Sequence, residues 1–400
     1  MPLLQHFDAL LRLPSISSTR PSLDMSNRPV IDYLAEQFEA LGFRCEIVPS
    51  PSDSSAEKAN LIATLGTGPG GLVLAGHSDT VPMDENLWQV DPLRMTEKDN
   101  RLYGLGSTDM KGFFALILEA VESEKLRGLS LQQPLIVLAT ADEETSMHGA
   151  RALAELGRPK ARYAVIGEPT GLRPVRAHKG MMMEAIRLHG RSGHSSDPSL
   201  GRNALEAMHE AITALLALRG ELQQQYRDPL FDIDIPTMNL GCIHGGDNPN
   251  RICGHCDLEF DVRLIPGMDP DTVRDLIRSR VMPIAERHEV DFELVPLFPG
   301  IAPFKTAAEG DLVRTAERLT GHQAESVAFG TEAPLLQQIG METIVLGPGD
   351  IAQAHQPDEY LALDRVQPCV DLLRRLIGHY CLTPGTENDV TGTSDSSNRD

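Results

Sequence analysis

Three stretches decide the fold: LVLAGHSDT (residues 72–80), LIVLATADEET (135–145) and YAVIGEPT (163–170). Each is an apolar run that ends on residues able to hold a metal: His77 and Asp79, Glu143 and Glu144, and Glu168. Uninterrupted apolar runs of this length, bounded by glycine or polar turns, read as strands of a parallel sheet buried on both faces. In open α/β sheets, ligands bind beyond the carboxyl ends of the strands. A fourth acid, Asp109, opens the apolar stretch GLGSTDMKGFFALILEA, which predicts a helix from Asp109 to about Glu124. Several carboxylates and an imidazole therefore converge on one sheet edge. They would repel one another unless cations held them, which points to a site for two metals.

Working outward, helix and strand alternate over the first part of the chain: helices near Leu3–Leu13 and Pro29–Leu41, strands at Cys45–Val48, Asn60–Leu65 and Leu72–Ala75. That is the alternation of an α/β domain. From about residue 180 the order becomes βαββαβ, a ferredoxin-like unit. It consists of Met181–Leu188, Asn203–Gln225, Thr237–Ile243, Cys256–Leu264, Asp271–His288 and Val290–Val295. The α/β alternation then returns. The expected organisation is a catalytic domain from 1–178 and 297–384, an inserted domain from 179–296, and a disordered tail from 385–400.

The formal charge of −21 argues against nucleic acid and anionic membranes as partners. No apolar run is long enough to span a bilayer, and MPLLQHFDALLRLP reads as a helix rather than a signal peptide. Six cysteines in 400 residues do not make a disulfide scaffold, and reduced thiols in the cytoplasm are expected. Cys253-x-x-Cys256 is a weak zinc signal, because Cys256, Leu258, Phe260 and Val262 alternate onto one strand face. Gly66-Thr-Gly-Pro-Gly-Gly71 fits a dinucleotide fingerprint but leads from strand to strand, so it reads as a hairpin loop. There is no G-x-S-x-G serine elbow.

His77 is expected to bind metal through one ring nitrogen, and Asp79, two residues on, to accept the other N–H and fix the tautomer. Asp109 also fits an acid stabilising a helix N-terminus. Glu143 and Glu144 would face opposite ways in a regular strand, so both reach one site only where the chain turns out of the sheet. Glu332, in GTEAP, is a candidate for a substrate ammonium.

GHSDTVP, GSTDMKG, ADEET, GEPT, SGHSS and AHQPDEY, in this order, resemble the dinuclear zinc amidohydrolases and peptidases. Each segment is a weak signal alone, and six in order are a strong one. The resemblance runs from about residue 1 to 383 and implies a mixed-sheet α/β metallohydrolase with an inserted dimerisation domain. It implies that Asp109 bridges two ions, zinc or cobalt, with His77 and Glu168 on one and Glu144 and His355 on the other. Glu143 would be the general base. Arg263 would hold the substrate carboxylate, assisted by Asn250. His194 would be lent across a homodimer to the oxyanion. The branch it resembles most hydrolyses N2-acetyl-ornithine on the way to arginine. Acetylcitrulline, succinyl-diaminopimelate, a dipeptide, or a binding role without catalysis are the alternatives.

Overall fold

The structure, a computed structural model, describes residues 2–52, 55–122 and 131–382. The expected tail at 385–400 and the last turn of the helix expected to reach Glu124 lie outside the described residues. A nine-stranded sheet forms the centre. Its order is Arg44–Ser50, Lys58–Leu65, Leu135–Thr140, Leu72–His77, Tyr163–Pro169, Glu342–Gly347, Val175–His178 and Phe304–Lys305, with Glu325–Val327 also paired to Val175–His178. Leu72–His77 runs parallel to both neighbours, and Glu342–Gly347 runs parallel to Tyr163–Pro169. The three site-bearing strands are buried along their whole length, as their unbroken apolar runs require.

Alternate residues feed two cores. Leu72, Leu74, Val137, Ala139 and Val165 pack under helices Pro2–Leu11, Arg28–Ala40, Lys111–Glu122, Asp311–Thr320 and Leu363–Cys381. Val73, Ala75, Ile136, Leu138 and Ile166 pack against His148–Leu156 and Ala333–Gln338 on the opposite face. Residues from 304 onward lie in the same sheet as those before 178, so both ends of the chain build it.

Two expectations need correcting. The glycine loop is not a hairpin, because Leu135–Thr140 lies between the strands it joins. The loop crosses the start of that strand at close range. Gly71 donates to the Gln133 side chain (2.8 Å), and a Cβ on Gly71 would sit 2.2 Å from the Pro134 carbonyl oxygen. Glycines with φ of 80° and 90° at 70 and 71 make that passage possible. The second correction concerns Asp109, which does not open the helix. The helix starts at Lys111, leaving Asp109 in the preceding loop.

The second sheet has the order Thr237–Gly245, His255–Leu264, Gly180–His189, Asp291–Pro296, antiparallel throughout. With helices Ala204–Gln225 and Pro270–His288 on one face, this is the ferredoxin-like arrangement. Cys256, Leu258, Phe260 and Val262 share the inward face, and Cys253 and Cys256 are free thiols packed in that core. A small sheet, Thr96–Lys98, Arg101–Tyr103 and Tyr360–Ala362, ties the loop before Asp109 to the segment after His355. Among the described residues no helix is long and apolar enough to cross a membrane.

Candidate active site

His77 ends its strand and is fully buried. Its Nε2 lies 3.0 Å from Asp109 Oδ1 and 3.8 Å from Glu168 Oε1. Its Nδ1 lies 3.0 Å from the Asp79 carbonyl oxygen, whereas the Asp79 carboxylate is 3.7 Å away. The expected carboxylate partner is therefore a backbone carbonyl, because the strand stops at His77 and the chain turns. The Asp79 carboxylate instead accepts the amide N–H groups of Glu143 (3.3 Å) and Glu144 (3.1 Å). It thereby holds the turn by which both glutamates reach one site. Asp142, at φ 59°, bends the chain out of the sheet there.

The second oxygen of Asp109, Oδ2, lies 3.3 Å from His355 Nε2, and His355 Nε2 lies 3.0 Å from Glu144 Oε2. Two sets of three donors result: His77, Asp109 and Glu168, and Asp109, Glu144 and His355. Within each set the donor atoms lie within 4.8 Å of one another. Asp109 contributes one oxygen to each.

The donor chemistry fits divalent cations. Burial, Asp109 and the neighbouring glutamates hold Glu168 well above the usual carboxylate range. Burial, Glu144, Glu332 and Asp109 do the same to Glu143. Burial pushes Asp79 up to about 6. Burial opposes charge on His77, yet Asp109, Glu168 and Asp79 hold its pKa well above the ordinary value. Hydrogen bonds to Asp109 and Glu144 raise His355 to about 10. Cations between these groups would relieve the crowding of negative charge that burial makes so unfavourable.

Sequence reading missed the support beneath this turn. Lys58, 3 % exposed, places its Nζ 2.8 Å from both Asp24 Oδ1 and Asp142 Oδ1. Ser17 donates to Asp142 (2.9 Å), and Ser17 Oγ lies 2.7 Å from Thr145 Oγ1. The N-terminal segment is thus pinned to the glutamate turn. A lone lysine at a strand start carries no signal of this.

A cavity of about 670 Å³ opens over the site. Asp109, Glu143, Glu144, Glu168 and His355 form its floor, and Met181, Met183, Phe298, Ile301, Phe329 and Ile351 supply apolar wall. His194, Arg263, Asn250 and Glu332 do not line it. Glu332 is 1 % exposed, with His77, Asp79 and Glu143 as its charged neighbours, and burial pushes its pKa up to about 7. Arg263 pairs with Asp261 (3.1 Å) on the open face of the second sheet, opposite Met181 in register. His194 is exposed. Its Nδ1 accepts the Ser196 amide N–H (3.2 Å), so in the neutral ring Nε2 carries the proton and is a donor. It does not cap the following helix, which Asn203 caps by accepting the Leu205 and Glu206 N–H groups. Ser195 donates to the Asn250 carbonyl (3.1 Å), so Asn250 lies beside it.

Residues 73–379 match Peptidase family M20/M25/M40. The acetylornithine deacetylase of Pasteurella multocida is 48% identical over 378 residues, 94% of this chain and 98% of its own. That of Edwardsiella ictaluri is 49% identical over 375 residues, 94% and 97%. Among crystal structures, an aminopeptidase from Bacillus cereus superposes with a TM-score of 0.71 at 21% identity, covering 94% of this chain and 97% of its own. An M20 family metallo-carboxypeptidase from Sulfolobus solfataricus gives 0.70 at 17%, covering 95% and 99%.

Proposed function

The chain belongs to peptidase family M20/M25/M40 and is a metal-dependent amidohydrolase; we propose that it hydrolyses the acetyl group of N2-acetyl-L-ornithine, releasing acetate and L-ornithine for arginine biosynthesis. One observation carries the reaction type: a buried carboxylate, Asp109, offers one oxygen to each of two His-and-carboxylate donor sets at the floor of an open cavity. The near full-length likeness to acetylornithine deacetylases carries the substrate.

His77, Asp109 and Glu168 would hold one divalent cation, and Asp109, Glu144 and His355 a second, zinc or cobalt. When bound, such a pair would supply Lewis acidity and lower the pKa of a bound water. Glu143, on the same floor but outside both donor sets, takes a proton from the attacking water. It then passes that proton to the leaving α-amine, so the amide C–N bond breaks as the new C–O bond is kept. The Asp79 carbonyl keeps His77 in the tautomer that presents Nε2 to the ion, while the Asp79 carboxylate keeps Glu143 and Glu144 in place. The apolar wall suits the acetyl methyl and the aliphatic stem of ornithine.

Arg263 and Asn250 would engage the substrate carboxylate, and His194 would donate Nε2–H to the oxyanion of a partner subunit. What supports a homodimer is the outer edge of Thr237–Gly245, unpaired among the described residues, with Ile243 48% exposed, beside a helix that exposes Leu205 and Leu216. His194 lies against the loop that leaves this edge strand, through the bridge to Arg251. Free thiols at all six cysteines support the cytoplasm as location.

The test is hydrolysis of N-acetylornithine, N-acetylcitrulline, N-succinyl-diaminopimelate and a dipeptide, read as the newly freed α-amine, with and without chelator. N-acetylornithine should be the best substrate, with activity lost in chelator and restored by zinc or cobalt. Full activity in chelator overturns the metal assignment, and a clear preference for another substrate overturns the ornithine assignment.

A further inference from the structure

Glu359, in AHQPDEY, has no part in the chemistry above, yet it is 1 % exposed. Its Oε1 accepts the N–H groups of Thr108 (2.7 Å) and Asp109 (2.9 Å), and its Oε2 accepts that of Gly106 (3.2 Å). Three amides of the loop that carries Asp109 therefore converge on one carboxylate. Burial and Asp109 push this carboxyl up to about 8. Three N–H donors facing it nonetheless fit the ionised form, in which neither oxygen carries a hydrogen.

Two further bonds join the same segments: Thr108 Oγ1 donates to the Tyr360 carbonyl (2.6 Å), and Gly104 N–H donates to the Glu359 carbonyl (3.0 Å). Four residues before Glu359 stands His355, half exposed and at φ 59°, a left-handed conformation that a free loop leaves readily for a non-glycine residue. The carboxylate thus ties the loop bearing one donor to the turn bearing another, although the two are about 250 positions apart in sequence, as the 250-residue separation of the Asp109–Glu359 bond records.

We propose that Glu359 is a positioning residue that sets Asp109 against His355, so that the cation held by Asp109, Glu144 and His355 meets its donors at the right separation. This rests on the dinuclear reading above. Partners behind metal ligands characteristically alter metal affinity by about 10- to 100-fold when removed. Glu359→Gln keeps the shape and one good acceptor oxygen but turns an N–H2 toward one of the three amides, and Glu359→Ala removes all three acceptor contacts.

The experiment is calorimetric titration of Zn²⁺ into the metal-free full-length wild type, Glu359→Gln and Glu359→Ala, with the visible spectrum of the Co²⁺ forms as a second readout. The wild type should take two ions. Glu359→Gln should bind one of them roughly tenfold more weakly, and Glu359→Ala up to about 100-fold more weakly, with an altered Co²⁺ spectrum. If Glu359→Ala does not fold, the isosteric Glu359→Gln decides the matter. Two ions bound with unchanged affinity and spectrum in Glu359→Gln, whatever happens to its melting temperature, overturn the proposal and leave the dinuclear reading standing. A wild type that fails to take two ions overturns the dinuclear reading, and this proposal with it.

Discussion

Replacing Lys58 with methionine should damage both stability and turnover. The Lys58 ammonium lies 2.8 Å from Asp24 and from Asp142, and its side chain and theirs are 1%, 4% and 6% exposed. Methionine fills the same volume without the charge. Asp24 and Asp142 would then face each other with no cation between them. Removing one partner from a buried ion pair costs about 3–5 kcal/mol, because the remaining charge stays desolvated. At about 2–4 °C per kcal/mol for a folding unit of this size, the melting temperature should fall by at least about 6 °C. Asp24→Asn in the Lys58→Met background should recover part of the loss. The assay is thermal unfolding of metal-free protein at pH 7.5, alongside kcat for the metal-loaded forms. A melting temperature within about 2 °C of wild type at pH 7.5, a loss of no more than about 1 kcal/mol, would refute the reasoning.

Other expectations concern individual site groups. Glu143→Gln should retain both ions but lose at least about 10²-fold in turnover, whereas Glu144→Gln should weaken one ion; equal metal loss in both contradicts the division of roles. His178 donates from Nδ1 to the Lys179 carbonyl and accepts the Thr331 N–H at Nε2, and burial lowers its pKa to about 4. The fold thus prefers its neutral ring, while the unfolded chain takes a proton below about pH 6.5, so stability should fall as pH drops from about 6.5 towards 4 and level off below. Between pH 7.5 and 5.0 that amounts to about 2 kcal/mol, and His178→Asn should remove this part of the slope; an unchanged slope rejects it. Mixing Glu143→Ala with His194→Ala under subunit exchange should restore about a quarter of wild-type activity if His194 serves the partner's site, and nothing if it serves its own.

The strands that carry His77, the glutamate pair and Glu168 were legible because their runs have no polar interruption, and the βαββαβ order was legible from the change to alternating faces. Strand order was not. Nothing local to Gly66–Gly71 tells that a strand seventy residues later lies between the two it joins. His355 was beyond spacing arguments, since it sits in a polar loop and reaches Asp109 only through the fold. Asp79 illustrates a different failure: its position was right for contacting His77, but its carbonyl makes that contact while its carboxylate serves the neighbouring turn. Lys58 and Glu359 act at long sequence separation on backbone and on other charges, and a lone lysine or an acid in a polar loop looks the same whether buried or solvated.

The sheet itself works as a ruler. His77, the Glu143–Glu144 turn and Glu168 leave the ends of three neighbouring strands. Strands lie about 4.8 Å apart, close to the roughly 3.5–4 Å between paired ions in two-metal sites. The backbone ladder therefore sets the gauge among the strand-borne donors, and the loop of Asp109 and the turn of His355, joined through Glu359, are fitted to it. The cavity rim, by contrast, is drawn from the second sheet and from loops around Phe298, Phe329 and Ile351. Such a division lets the choice of acyl amino acid drift with rim substitutions while the spacing that the hydrolytic step depends on stays fixed.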